Sequence, residues 1–466
     1  MTDKKKSFLA IFLLLAISMR VVSGPTANLS YLLLAAFALL GRPHAIVALA
    51  LSWFFSMLSP GIAAPATLAS VGRYAVIFGA ALSVLARSGM LSGRFYVSTP
   101  VAAILGMGIL LIFHSTVVSP MPDVSILKIV SWTLVFATLV SAWQQLSWEE
   151  RDNLSRQIFS GLIVIMVVSL PLLVLPLGYL RNGSGFQGIL NHPQALGPTM
   201  ALLGTWAGSQ LFAQRKPSWF SIALVAISLL LVLLSEARTA GLAMVLGVSV
   251  AVLSAPVLAG KPLRVLMPGL RSKRIWTVLT ATFIVAVAFA PRIINAVEHY
   301  ITKSGRAGEV QSLLEAYDRS RGGLIDEMWV NITQHPLTGI GFGIASNPQE
   351  MFVERDPVLG LPVSASIEKG VLPVAILEEL GVPLAILVAL LFWALLRRGA
   401  RNGVTPLAVT TTVLLLNMGE STFFSPGGLG LLPLVLIGWA ATQSRVTEPR
   451  SDTSTIQVTS FQRVSY

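Results

Sequence analysis

The stretch WFSIALVAISLLLVLLSEARTAGLAMVLGVSVAVLSAPVLA, residues 219–259, decides the fold class. Two apolar runs, near 217–235 and 239–257, make up most of this stretch and are separated by a few polar residues. A helix of about 18 or more apolar residues is long enough to cross the roughly 30 Å hydrocarbon layer of a membrane. We therefore expect two consecutive membrane-spanning helices joined by a very short turn.

The same pattern continues along the whole chain. Of the 466 residues, 54% are hydrophobic and only 12% are charged, and the mean hydropathy is +0.75. This composition excludes a water-soluble enzyme. Some runs are shorter than a full span, so the sequence predicts an all-α integral membrane protein with 12–14 transmembrane helices. The apolar stretches lie near 7–23, 28–41, 44–59, 74–88, 97–118, 124–144, 157–180, 195–213, 217–235, 239–257, 276–296, 372–395, 404–418 and 428–442.

The charged residues indicate the topology of the chain. If the N-terminus is cytoplasmic, the connections predicted to be cytoplasmic carry 21 of the 33 Lys and Arg residues, as the positive-inside rule requires. Both termini are therefore expected to be cytoplasmic. The net charge of +12 then reflects orientation and contact with membrane lipids, and we expect no nucleic-acid partner. The chain has no cysteine and five scattered histidines, so we expect no metal site and no cofactor.

Five regions follow from this pattern. They are N-terminal transmembrane helices (1–156), central transmembrane helices (157–296), a large outer loop (297–371), C-terminal transmembrane helices (372–442) and a disordered cytoplasmic tail (443–466). The outer loop is too long to be a simple connection. Two segments within it, AGEVQSLLEAYDR (307–319) and GLIDEMWVNI (323–332), have helical apolar spacing. The glycines of the following HPLTGIGFG (335–343) permit a tight turn or a close approach of the backbone to a ligand.

Three polar segments are expected on the outer face. The first is RNGSGFQGILNHPQALG (181–197), with Arg181, Asn191, His192 and Gln194. The second is SEARTAG (235–241), where Glu236 and Arg238 form either a structural ion pair or part of an anion site. The third runs from Arg321 to Glu379 and includes His335, Glu368, Lys369 and Glu378. We expect His335 to be a loop-packing or helix-terminal residue, and His114, in the fifth apolar stretch, to be a packing residue.

Several cations beside apolar helices suit a lipid-linked diphosphate. Arginine binds phosphate oxygens with a planar fork, and lysine supplies a mobile point charge. A diphosphate is already a good leaving group, so the protein must fix its charge, exclude water and offer a base to an acceptor hydroxyl. The candidates for that base are Glu368, Glu378, Glu379 and His192.

The order of these motifs resembles a known family. RNG…GILNHPQALG, SEARTAG, HPLTGIGFG and LEELGVP, within about residues 155–400, are similar to motifs of the O-antigen ligase and O-antigen polymerase superfamily. The resemblance implies a multi-pass protein of the bacterial inner membrane whose active face is periplasmic. Such a glycosyltransferase moves a glycan from an undecaprenyl-diphosphate carrier to a hydroxyl acceptor during lipopolysaccharide or exopolysaccharide biosynthesis. A flippase and a chain-length regulator are implied as further partners.

The resemblance also implies roles for individual residues. Arg181 and Arg238 match the diphosphate-binding arginines, and Arg321 is similar to an arginine of the outer loop. Ligases have a His-Asn pair where this chain has IEKGV (367–371), so Glu368 and Lys369, together with Glu379, are the expected catalytic residues. The missing histidine favours a polymerase, which uses a lipid-linked glycan as acceptor. The alternatives are a ligase that acts on lipid A-core and a multi-spanning transporter of a solute or anion.

Overall fold

A computed structural model describes residues 3–88, 97–180, 185–292, 294–295, 322–355, 360, 362–365 and 369–443. The chain is helical along most of these ranges. The helices are α1 (Asp3–Val22), α2 (Gly24–Ala38), α3 (Arg42–Met57), α4 (Ala69–Arg87), α5 (Thr99–Val118), α6 (Pro122–Gln144), α7 (Trp148–Ser169), α8 (Pro193–Ala213), α9 (Trp219–Leu234), α10 (Arg238–Ala259), the single turn α11 (Leu263–Leu266), α12 (Lys273–Ala288), α13 (Gly323–Gln334), α14 (Leu372–Asn402), α15 (Val404–Leu416) and α16 (Leu431–Ala441). Two short strands, β1 (Val353–Arg355) and β2 (Pro362–Ala365), pair antiparallel.

The predicted all-α membrane fold is confirmed. Each of the fourteen apolar stretches overlaps one of these helices. Six helical segments in the described ranges are long and apolar enough to cross a membrane: Ala69–Arg87, Thr99–Val118, Pro122–Gln144, Trp148–Val174, Arg238–Ala259 and Leu372–Asn402. Four further apolar helical segments have 10–17 residues. The chain is therefore a multi-pass membrane protein, whereas the total of 12–14 spans stays a prediction.

Small residues allow the central helices to pack closely. α8 packs against α9, α10 and α15, and α10 packs against α15. A methyl group added at Gly204 of α8 would lie 3.0 Å from Ser228 Cβ of α9. A methyl group added at Gly247 of α10 would lie 3.0 Å from Thr412 Cβ of α15. The hydroxyl of Thr412 also lies 3.0 Å from that of Thr205 in α8. Close backbone approach and interhelical hydrogen bonds are how helices associate where no water drives burial.

Loops from distant parts of the chain meet at one end of the helix bundle, which we call the cavity end. Asn191 N donates to Met57 O at 2.7 Å, and Phe186 N donates to Leu234 O at 2.9 Å. The N-terminus of α14 joins the connection between α15 and α16, since Leu372 N donates to Asn417 O at 2.9 Å. These bonds satisfy backbone groups that no helix pairs. They bring the predicted polar segments near 185–192, 235–238 and 369–379 to the same end.

α14 is broken near its start. Gly381 has a φ of +68°, and Pro383 follows it two residues later. Pro383 has no N–H to donate to the Glu379 carbonyl. Val382 N does not donate to the Glu378 carbonyl, as it would in a regular helix, because it donates to Pro336 O at 2.8 Å. The freed Glu379 and Glu378 carbonyls accept from Gly341 N at 3.0 Å and from Ile340 N at 2.9 Å. The break is therefore filled by the glycine-rich segment 335–343, as non-helical backbone inside a membrane protein must be.

The described part of the large loop agrees with one of its two helical predictions. Segment 323–332 lies in α13, whose Met328 and Ile332 are buried, whereas the predicted helix at 307–319 lies outside the described residues. His335 is the C-cap residue of α13, which is one of the two roles that the sequence left open for it. The tail prediction for 443–466 also lies outside the described residues, apart from Gln443.

Candidate functional site

A buried cluster of charged side chains lies at the break in α14. Lys369 Nζ is 2.6 Å from Glu378 Oε2 and 3.2 Å from Glu379 Oε1. The side chains of Lys369 and Glu378 are only 2% and 0% exposed. Ions this deeply buried persist only when they are paired and hydrogen-bonded. One ammonium group thus joins the segment before α14 to the second turn of that helix.

Each carboxylate has a second partner that fixes its orientation. Glu378 Oε1 accepts a hydrogen bond from Asn331 Nδ2 of α13 at 2.7 Å, and the same Asn331 amide nitrogen lies 2.9 Å from Ser346 O. Glu379 Oε2 accepts from the backbone N–H of Gly343 at 2.6 Å. Charge-assisted hydrogen bonds of this length are stronger than neutral ones. Glu378 therefore holds α13 in place, and Glu379 holds the glycine-rich segment.

The glycine-rich segment needs its glycines for contact with α14. Gly339 has a φ of +66°, and a methyl group there would lie 2.7 Å from Glu378 O. The segment is anchored on its other side by His114 of α5, whose Nε2 lies 2.6 Å from Thr338 O. A carbonyl can only accept, so Nε2 carries the proton. The sequence predicted a tight turn or an approach of this backbone to a ligand, and the structure shows an approach to α14. His114, expected to be a packing residue, makes a polar contact that its sequence neighbours do not indicate.

Lys128 of α6 lies beside this cluster. A methyl group at Gly343 would lie 2.6 Å from Lys128 Cδ, so the lysine stem runs along the backbone that binds Glu379. Lys128 Nζ stands 5.3 Å from the centroid of the Phe342 ring, a cation–π contact. Among the described residues, no carboxylate oxygen lies within the 4.0 Å ion-pair distance of this ammonium nitrogen. This nitrogen is therefore not held in an ion pair within the part of the chain that the structure describes.

These groups line a cavity of about 400 Å³ at the cavity end, which we call the charged cavity. Arg73, near the start of α4, lines it together with Lys128, Lys369 and Glu379. Arg73 donates to Gly427 O in the α15–α16 connection, and Ser421 and Ser425 of that connection add hydroxyl groups to the wall. Three cationic side chains thus face one carboxylate among the described lining residues. The arrangement can bind a phosphate group and present a carboxylate beside it.

The predicted residues Gln194, Glu236 and Arg238 lie in a neighbouring part of the same end. Gln194 lines a small cavity of about 30 Å³ with Thr239 and Glu420. Arg238 is the first residue of α10, and its backbone N–H donates to Glu236 O at 3.0 Å. Glu236 has a φ of +55°, a conformation rare for residues other than glycine. Such local strain is maintained by the surrounding structure.

Asn191 and His192 have structural roles at the start of α8. His192 is the N-cap residue, and its Nδ1 accepts a hydrogen bond from Gln194 N at 3.1 Å. Asn191 is bound through its backbone to Met57, and its side-chain amide lies 3.5 Å from Ser56 O. These contacts give Asn191 and His192 a part in holding the start of α8 in place. A direct contact of either residue with a substrate stays a prediction.

The α15–α16 connection, residues 417–430, stands between the two cavities. Glu420 and Thr422 line the small cavity, whereas Ser421 lines the charged cavity. Asn417 fixes this connection, because its Oδ1 accepts from the backbone N–H groups of Thr422 and Phe423, both at 2.8 Å. The two sets of predicted residues therefore lie at one end of the bundle, where Lys369 and Glu379 line the charged cavity and Gln194 lines the small one.

The structure thus brings together part of the predicted site. Lys369 and Glu379 form an ion pair, and Glu236, Arg238 and Gln194 lie on the other side of the α15–α16 connection from them, whereas the catalytic and binding roles of all five stay predictions. Arg181, Arg321 and Glu368 lie outside the described residues. The sequence did not single out Arg73 and Lys128 as site residues. A lysine six residues into an apolar helix was a usable signal, since ionisable groups within spans are usually functional. Arg73 carried no comparable signal.

Comparisons with known proteins give no family for this chain. No protein-family model matches it, and no curated protein matches it. The fold and site define the class: an all-α, multi-pass membrane protein with a charged cavity at one end of its helix bundle.

Proposed function

We propose that the protein is a membrane glycosyltransferase of the O-antigen ligase and polymerase type. It transfers a glycan from an undecaprenyl-diphosphate carrier to a hydroxyl acceptor at the periplasmic face of the bacterial inner membrane. One observation carries the proposal: the charged cavity places three cations and one carboxylate at the end of an apolar helix bundle. A lipid-linked diphosphate has the matching features, an anionic group at the membrane surface and an apolar chain within the membrane.

Arg73 and Lys128 bind the diphosphate in this proposal. The Arg73 guanidinium can hold two phosphate oxygens at once, and the Lys128 ammonium adds a point charge on the side of the cavity formed by α6. Lys369 is largely neutralised by its two carboxylate partners. The resemblance of the SEARTAG motif assigns Arg238 to the same donor, reached across the α15–α16 connection.

Glu379 acts as the general base. The acceptor hydroxyl oxygen attacks the anomeric carbon of the glycan, and its proton passes to a Glu379 carboxylate oxygen. The bond between that carbon and the diphosphate oxygen breaks, and the diphosphate leaves with the bonding electron pair. Lys369 and the Gly343 N–H hold the carboxylate in orientation through contacts of 3.2 and 2.6 Å. Arg73 and Lys128 neutralise the charge that develops on the leaving group.

A polymerase is favoured over a ligase. The segment IEKGV occupies the position where ligases have a His-Asn pair, and its Lys369 is engaged in the buried ion pairs. No imidazole is available there to serve a lipid A-core hydroxyl. A polymerase acceptor is itself a lipid-linked glycan, which the same anionic and apolar recognition suits.

The catalytic proposal is tested with purified protein, a lipid-linked glycan donor and a matched pair of variants. Glu379→Gln keeps the shape and the hydrogen bond from Gly343 but removes the base, so kcat falls by about 10²–10⁴-fold. Glu350→Gln, on an exposed turn, is the control and retains full activity. Release of undecaprenyl diphosphate is measured for each. Wild-type turnover by Glu379→Gln would exclude this residue as the base.

Deletion of the gene in its host separates the alternatives. Lipopolysaccharide and secreted polysaccharide are then analysed on gels. Loss of long polymer with accumulation of single lipid-linked repeats indicates a polymerase, whereas normal-length polymer retained on its carrier indicates a ligase. Unchanged glycans would refute the glycosyltransferase proposal and favour a transporter.

A further inference from the structure

An apolar groove runs along the bundle surface close to the charged cavity. It has a volume of about 610 Å³ and lies between α2, α4 and α6. Every residue that lines it is Ala, Gly, Leu or Phe, among them Ala35, Ala36, Phe78, Leu82 and Leu134. Phe78 and Leu82 are about 60% exposed, at 59% and 61%. A surface of this composition is suited to hydrocarbon rather than to a polar ligand.

The groove and the charged cavity share two helices. On α4, Arg73, Tyr74 and Ile77 line the charged cavity, and the groove begins at Ala75 and Phe78. On α6, Lys128 and Ser131 line the charged cavity, and Leu134 lines the groove. Leu134 lies three residues beyond Ser131, about 4.5 Å along the helix axis. The groove and the charged cavity are therefore neighbours on the same two helices, with Phe78 four residues after Tyr74 and Leu134 three residues after Ser131.

The direction and length of the groove fit a lipid chain. Its α4 residues extend from Ala75 to Leu85, which corresponds to about 15 Å at 1.5 Å per residue. This is about half of the roughly 30 Å hydrocarbon layer. Because α4 starts at the cavity end, the groove leads away from that end toward the interior of the membrane.

Small residues form the groove by letting two helices approach. A methyl group at Gly79 of α4 would lie 2.8 Å from Ala35 O of α2, so the two backbones are close at this level. Ala36 and Ala75 leave room where larger side chains would fill the groove. The larger side chains of Phe78 and Leu82 on α4 and Leu134 on α6 contribute the rest of its lining.

We infer that this groove binds the hydrocarbon chain of the lipid-linked substrate whose phosphate group occupies the charged cavity. The inference rests on the proposed function for the identity of that substrate. Its own support is that an exclusively apolar groove and a cationic cavity lie next to each other on α4 and α6. An anionic head group bound by Arg73 and Lys128 directs its chain along those two helices.

The test fills the groove and varies the length of the lipid chain. Ala36→Trp places an indole ring in the groove, and Leu29→Trp, on an exposed position of α2 outside it, is the control. Transfer is measured with an undecaprenyl-linked donor and with a geranyl-linked donor. Ala36→Trp raises KM for the undecaprenyl donor about tenfold at unchanged kcat, as expected for lost ground-state binding, and leaves the geranyl donor unaffected. Equal effects on both donors, or no effect on either, would overturn the inference.

A second measurement does not depend on transfer. Undecaprenyl phosphate with a photoreactive group on its chain is crosslinked to the wild-type protein in phosphatidylglycerol vesicles, and the labelled residues are mapped by mass spectrometry. Labelling of α2 and α4 at the groove, reduced by Lys128→Met, supports the inference even if no glycan transfer is found. Labelling that is spread over all lipid-facing helices, or that is insensitive to Lys128, identifies the occupant as ordinary membrane lipid and refutes it even if transfer is found.

Discussion

Removal of the Lys369 ammonium group tests the structural basis of the site. In Lys369→Met the side-chain length is kept, but Glu378 and Glu379 lose the cation that lies 2.6 and 3.2 Å from their oxygens. The two carboxylates are adjacent in the chain and buried, so their mutual repulsion loses the cation that lies within ion-pair distance of both. Removal of one partner from a buried ion pair typically costs about 3–5 kcal/mol. We expect a loss of stability in that range.

The assay compares three variants with the wild type by unfolding in detergent micelles. The triple variant Lys369→Met, Glu378→Gln, Glu379→Gln removes all three charges but keeps acceptors for the Asn331 and Gly343 hydrogen bonds. It should recover at least half of the lost stability, because replacing a whole buried ion cluster by neutral groups is often close to neutral. Lys216→Met, at an exposed position, is the control and should unfold like the wild type. A single variant as stable as the wild type, or a triple variant as unstable as the single one, would refute the reasoning.

Three further predictions concern the helix break, the arginine motifs and metal dependence. Gly381→Ala forces a methyl group against Leu337 O and Thr338 N and retains a positive φ, so it lowers the unfolding temperature, whereas Gly161→Ala, in open space on α7, does not. Arg181→Ala and Arg238→Ala each abolish product formation but leave membrane insertion unchanged. Arg→Lys at either position restores activity only in part, because lysine cannot hold two phosphate oxygens at once. Full activity of both alanine variants would contradict the assignment of these arginines to the donor diphosphate. Treatment with EDTA leaves transfer unchanged, and a strict requirement for added divalent ion would argue against the proposed mechanism.

The apolar pattern was sufficient to locate the helices. All fourteen apolar stretches overlap helices, because the cost of burying backbone polar groups in hydrocarbon leaves few alternatives to a helix. The second helical segment of the large loop, now α13, was predicted from three- and four-residue spacing alone. These features depend on neighbours in the chain, so a local pattern is enough to recognise them.

The candidate site was predicted only in part. Lys369 and Glu379 were named from their position in a motif, but the motif does not show that Lys369 forms ion pairs with both Glu378 and Glu379 or that Gly343 binds Glu379 beside the break at Gly381. The gap left by that break is filled by a segment that lies about forty residues earlier in the chain. Arg73 and Lys128 reach the same cavity from two other helices. A local sequence pattern does not indicate which helix ends come together in the folded protein.

The sequence by itself therefore determined the membrane class, the helical segments and the polar character of one end of the bundle. Hydrophobicity and helix length act on consecutive residues, and the free energy of placing them in lipid is nearly independent of the rest of the fold. Only the tertiary structure decided that Lys128 and Arg73 line one cavity with Glu379 and that Arg238 lies in a separate part of the same end. Packing of helices distant in the chain sets those contacts, and it depends on the shapes of all the side chains between them.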